Sequence, residues 1–118
     1  MSKDPKEILN KFMDGLGDFS KMMPESTEAF MNLLGTSYKE GAVDVKTKEL
    51  ISVAIGVYNR CEYCIVFHTY KALEAGATRQ EIYEAAMVSV AFGGGPSMAY
   101  AVSLLKDSVE AFAPEFGK

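Results

Sequence analysis

The chain has 118 residues, 48% hydrophobic and 24% charged, with a net charge of −4 and two cysteines. That is enough to bury the core of one domain, residues 1–118, without disulfide or metal staples. An acidic chain with no Lys/Arg-rich stretch argues against nucleic acid as a partner. The longest strongly apolar run, Leu50–Val57, is far short of the roughly 20 residues a membrane span needs.

Charges interrupt the apolar positions of residues 1–17, so this stretch does not read as a signal peptide. The expected compartment is the cytoplasm, where a lasting disulfide is out of place and a cycling one fits.

Helical periodicity runs through the chain, and no strand pattern persists. Asp4 and Pro5 supply a cap and a first-turn proline, and Ile8, Leu9, Phe12 and Met13 form an apolar stripe. Gly15 and Gly17 are expected to end this first, short helix. Pro24 opens a second, with Glu25 and Glu28 where the helix dipole favours negative charge. Phe30, Leu33, Leu34 and Tyr38 form its predicted buried face, and Gly41 its end. Met22, Met23 and Met31 read first as packing residues.

Asp44 caps a third helix running to about residue 58. Leu50, Ile51, Val53, Ala54, Ile55 and Val57 point nearly all round it, the pattern of a central helix. The fourth is expected over Cys61–Ala75, with Gly76 as its stop. Thr78 and Glu81 form a capping box for a fifth, which reaches Phe92. Gly93-Gly94-Gly95-Pro96 is a break, and Pro96 starts a sixth helix, with Pro114 in a frayed tail. The glycine run lacks the strand–turn–helix setting of a dinucleotide site. The fold class is all-α, a six-helix bundle.

Residues 59–70, NRCEYCIVFHTY, hold both cysteines and the only histidine. On a helix starting near Cys61, Cys64 lies one turn on and His68 one turn further, near one face. Free N–H groups and the dipole at a helix start favour thiolate over thiol, and C-x-x-C thiols at such places ionise more readily than free cysteine. The thiolate is the species that attacks a disulfide or a peroxide. His68 can accept the Cys64 proton. Zinc is the rival reading, with Glu62 or Glu49 as a further ligand, but structural zinc draws ligands from two clusters and no second Cys/His cluster exists. The bland reading is two buried thiols and a satisfied histidine. Arg60 favours a thiolate beside it, and Glu62 opposes one.

Glu49 stands twelve residues before Cys61, giving E-x11-C-x2-C-x3-H over Glu49, Cys61, Cys64 and His68. With the all-helical pattern and the A-G-A-T turn, this resembles the alkylhydroperoxidase D-like (AhpD-like) subgroup of the carboxymuconolactone decarboxylase family, over roughly the central half of the chain. The resemblance implies a helical fold assembling as homo-oligomers, trimers or hexamers. It also implies that Cys64 attacks a peroxide and becomes a sulfenic acid, that Cys61 resolves this to a disulfide, and that Glu49 and His68 relay the proton. No bound cofactor or metal is implied. The expected partners are a hydroperoxide or disulfide substrate and an external thiol donor, a lipoyl-type or thioredoxin-type carrier. Tyr63 departs from the best-known peroxidase members, which carry histidine before the second cysteine. On the residues alone Glu49, among Lys46, Thr47 and Lys48, reads as a solvated charge. Two other functions stay open: the family's namesake lactone decarboxylation by His68 and Glu49, and a non-enzymatic zinc-binding or assembly role.

Overall fold

A computed structural model describes residues 3–118. It is all-α, with no strand among the described residues. Asp4 caps α1 (Pro5–Met22) by accepting the Lys6 N–H. This helix does not end at its glycines. A mid-helix glycine costs about 1 kcal/mol relative to alanine but keeps the backbone hydrogen bonds, and the half-buried stripe Ile8, Phe12, Leu16, Ser20 continues across both. The chain leaves helical geometry at Met23 (φ −133°), the residue before Pro24, where a proline disfavours helix.

Next comes α2 (Pro24–Ser37), which closes at Tyr38, short of Gly41. Its expected buried face is only half real: Leu34 and Tyr38 are half-buried, but Phe30 and Leu33 are 54% and 59% exposed. In α3 (Val45–Asn59), Asp44 accepts the Thr47 N–H. Val53 and Val57 are wholly buried while Ile51 and Ile55 stay exposed, so α3 is central on two sides rather than all round. It packs lengthwise on α4 (Glu62–Glu74) and α5 (Arg79–Gly93). The capping box Thr78–Glu81 opens α5, and Lys46 of α3 reaches the Glu81 carboxylate at 2.9 Å.

Gly94, at φ 65°, makes the break that the glycine run foretells. The sixth helix, α6, is one rod in three pieces: Gly95–Tyr100, a π-helical turn Ala101–Leu105, and Lys106–Phe112. A 3-10 turn, Ala113–Phe116, follows where a frayed tail was expected. It is held because Ala113 is buried and Lys118 Nζ donates to the Leu73 and Ala77 carbonyls. The core joins Val53, Val57, Ile65, Val66, Leu73, Ile82, Leu105, Val109 and Phe112, each large side chain contributing about 1.5–3 kcal/mol by leaving water.

Candidate active site

The reversal between α3 and α4 takes two residues. Arg60 adopts the left-handed conformation (φ 55°) and the Cys61 N–H donates to the Gly56 carbonyl at 3.0 Å. Cys61 is thereby the N-cap of α4, its Sγ accepting the Cys64 N–H at 3.3 Å. The two cysteines, with Cα atoms 5.2 Å apart, are joined as a disulfide. Gly56 permits the close approach of α3 to the start of α4: a Cβ there would sit 3.2 Å from both Cys64 Cβ and the Ile65 nitrogen.

One turn on, His68 Nδ1 lies 2.7 Å from Glu49 Oε1. The Glu49 side chain is 6% exposed and that of His68 19%. The solvated reading of Glu49 therefore fails: the fifth residue of α3 is buried against His68 of α4, while Lys46 and Lys48 are engaged by Glu81 and by the Ser37 and Lys39 carbonyls. With Nδ1 on the carboxylate, Nε2 is the ring nitrogen left for other chemistry. Tyr38 stacks on the imidazole (centroids 5.7 Å apart, planes 7° apart) and Phe67 meets it edge-on.

Cys64, His68 and Glu49 share one cavity of about 490 Å3, walled by Phe12, Phe30, Met31, Leu34, Tyr38, Tyr63 and Phe67, with Lys71 on its lining. Cys61 is not among the lining residues. Glu62, beside the pair, has its charge met by Lys3, so its opposition to a thiolate is blunted. Arg60 lines a different groove, with Tyr58, Phe92 and Pro96. Among the described residues, no group of three or more His, Cys, Asp or Glu side chains is placed to hold a metal ion. No helix there is long and apolar enough to cross a membrane.

All four residues singled out in the sequence thus meet at the α3–α4 seam. The sequence reading missed Phe12, which reaches the site from α1 and packs on Tyr63 and Phe67, and the contact of Tyr38 with His68. Their only signal was membership of apolar stripes.

The model of the carboxymuconolactone decarboxylase family matches residues 24–107. The chain belongs to that family. A family member from Legionella pneumophila, solved in its apo form, superposes with a TM-score of 0.86 at 39% identity, covering 99% of this chain and 100% of its own. Another from Thermotoga maritima, with a suggested part in the antioxidative response, gives 0.71 at 29% identity, covering 90% and 96%. An uncharacterized protein of Cupriavidus necator is 32% identical over 89% of this chain and 93% of its own length. The alkyl hydroperoxide reductase AhpD of Mycobacteroides abscessus is 34% identical over 64 residues, 54% of this chain and 34% of its own.

Chemically, the site offers a sulfur pair at a helix start, an imidazole oriented by a buried carboxylate, and an apolar space lined by Cys64 and not by Cys61.

Proposed function

We propose that the protein is a thiol-dependent oxidoreductase, of the alkylhydroperoxidase or disulfide-reductase kind, that cycles Cys61 and Cys64 between dithiol and disulfide. One observation carries this reading: Cys64, bonded to Cys61, borders the same apolar cavity as the Glu49-held His68, and Cys61 does not. The name of the matched AhpD supports a hydroperoxide as oxidant.

In the forward half-cycle His68 takes the Cys64 thiol proton. The sulfur attacks a peroxide oxygen, the O–O bond breaks, and the proton returns to the departing alkoxide, which leaves as an alcohol. Cys64 is then a sulfenic acid. The Cys61 thiol attacks it, the S–S bond forms and water leaves, so two electrons pass from dithiol to peroxide. The disulfide described above is the product of that half-cycle. An external dithiol, lipoyl-type or thioredoxin-type, must reverse it. Its first thiolate attacks Cys64 Sγ, and Cys61 departs as a thiolate where the Cys64 N–H already points at it. The donor's second thiolate then attacks the donor sulfur of the mixed disulfide, so that Cys64 leaves as a thiolate and the donor as a disulfide. A disulfide substrate is reduced by the same exchange run the other way. No resident cofactor enters the cycle, and a reducing compartment, the cytoplasm, suits it. The aromatic wall suits an organic substrate better than hydrogen peroxide.

We also infer a homo-oligomer, a trimer or hexamer. Ile51, Ile55 and Tyr58 on α3 and Val88 and Phe92 on α5 are all about half exposed or more, Phe92 at 83%, and apolar surface of this kind marks an interface.

Thiol counting after mild peroxide, with and without a dithiol donor, tests the cycle. The wild-type protein is expected to lose two thiols per chain and recover both. Cys64→Ser should abolish turnover, and Cys61→Ser should stop at a sulfenic acid trapped by a dione reagent. Equal turnover by wild type and Cys64→Ser would end the reading.

A further inference from the structure

The Glu49 contact fixes one nitrogen of His68 but does not by itself fix the plane of the ring, since an imidazole held at a single atom can still swing about that bond. A second element supplies the constraint. Tyr38, at the C-cap of α2, lays its ring parallel to the imidazole.

Tyr38 is itself held from three directions by a single turn of α3. Its hydroxyl pairs with Ser52 Oγ. Ser52 donates its own proton to the Lys48 carbonyl at 2.8 Å, so in the Tyr38 contact Ser52 accepts and the phenol donates. The phenolic proton is thus committed away from the imidazole, and Tyr38 serves the site by its ring rather than as an acid. Lys48 Nζ, in turn, donates to the Ser37 and Lys39 carbonyls at 2.9 and 2.6 Å, pinning the backbone on either side of Tyr38. Glu49 stands between the two clamp residues in sequence and faces His68. One turn of helix therefore holds both the carboxylate that binds the imidazole and the phenol that covers its face.

We propose that Tyr38 is a positioning residue for His68, clamped by Lys48 and Ser52 so that the imidazole keeps Nδ1 on Glu49 and leaves Nε2 for the cavity. This rests on the dithiol reading only for why the orientation matters. A general base contributes about 10²–10⁴-fold and only in the correct tautomer and pose, and small displacements of such a group are costly.

The chain has one histidine, so a protein labelled in that residue gives a single set of imidazole lines to watch. In the full-length protein, the stacked phenol should move the His68 ring protons upfield, and the nitrogen shifts should report the Nδ1–H form. Tyr38→Phe keeps the ring over the imidazole but loses the hydroxyl anchor, so, like Ser52→Ala, it should keep both signatures only in part, with the rate of Cys64 oxidation by cumene hydroperoxide within about threefold of wild type. Tyr38→Leu should lose the upfield shift, turn the nitrogen pattern into a tautomer mixture and slow that oxidation roughly tenfold. Ser52→Ala, which cuts only the hydroxyl anchor, should show part of each change and guards against a Tyr38→Leu chain that does not fold. Wild-type imidazole lines in folded Tyr38→Leu, or in Ser52→Ala should the former not fold, would overturn the proposal. So would an unchanged oxidation rate once the lines have moved. If wild type itself shows no reversible thiol oxidation, the dithiol reading fails while the imidazole signatures still decide the positioning.

Discussion

The α3–α4 seam and the α2 wall border the same cavity and are built in opposite ways. At the seam, Val53, Val57, Ile65 and Val66 are fully buried, a glycine lets the backbones meet, and the reactive groups sit on the two packed helices. On α2 only Thr27 is buried, and Phe30, Met31 and Leu33 lie largely in the open. Groups that move protons and electrons must hold their geometry within fractions of an ångström, which rigid packed helices provide. A wall that only shelters a substrate can sit on a loosely held helix and adapt. The contrast assigns chemistry to the seam and substrate preference to α2. Tyr38, at the end of α2 yet tied to α3, is where the two meet.

Paired substitutions put that division at risk. Glu49→Gln keeps the shape of the buried side chain but removes the charge that steadies an imidazolium. It should lower the rate of Cys64 oxidation roughly 100-fold, at the low end of general-base contributions, with KM little changed. Leu34→Ala trims the α2 wall. It should raise KM for a bulky organic hydroperoxide roughly 10-fold, the low end of the scale for lost apolar contact because Leu34 is only half-buried, with kcat little changed. Steady-state kinetics on both variants check this, and the division fails if Leu34→Ala damages kcat more than Glu49→Gln does.

Two glycines sharpen the contrast in stability. A Cβ at Gly56 would meet Cys64 Cβ and the Ile65 nitrogen at 3.2 Å, where backbone has to give way. Gly56→Ala should cost about 1–3 kcal/mol, as overpacking does, and should slow disulfide closure by pushing α4 outward. Gly35, on α2, has nothing within 4 Å of the same added atom. Gly35→Ala should stabilise by about 0.5–1 kcal/mol, the helix-propensity gain. Thermal unfolding of each variant reads the sign directly, and equal effects would mean that the seam is no tighter than the wall.

The same distinction explains what could be read from the sequence. Signals that act within one turn of helix were legible: the Asp44 cap, the Thr78–Glu81 capping box, the break at Gly94, and the placing of Cys61, Cys64 and His68 along one helix. Contacts between helices were not. Glu49 sits among Lys46, Thr47 and Lys48, and nothing local says that it faces α4. Only the spacing shared with a known family placed it beside His68. Tyr38 looked like any stripe residue, because its partners Ser52 and Lys48 follow it by 14 and 10 positions on another helix. The end of α1 was misplaced for a local reason: glycines weaken a helix without ending one, and the proline beyond Met23 does. The exposure of α2 depends on what covers its outer face, which its own periodicity does not encode.

Acid gives the mildest test, at the helix starts. Asp44 and Glu81 both have carboxyl pKa values below the usual range. For Asp44 the cause is hydrogen bonding from Thr47, with Lys46 assisting. For Glu81 it is the Thr78 backbone N–H and then Lys46. A carboxyl depressed in the folded state stabilises the fold above its unfolded pKa, near 4, and that contribution fades as pH drops through the folded value. Both groups are exposed, so the effect is small and screened by salt. It is also local: α3 and α5 depend on these caps, while α2 begins at Met23 with no side-chain cap at all. Amide hydrogen exchange between about pH 5 and 3, corrected for intrinsic rates, should therefore show lost protection in the first turns of α3 and α5 and no matching change at the start of α2. A uniform loss across all three helices would mean that acid acts on the whole fold, and that the starts of seam and wall are not held by different means.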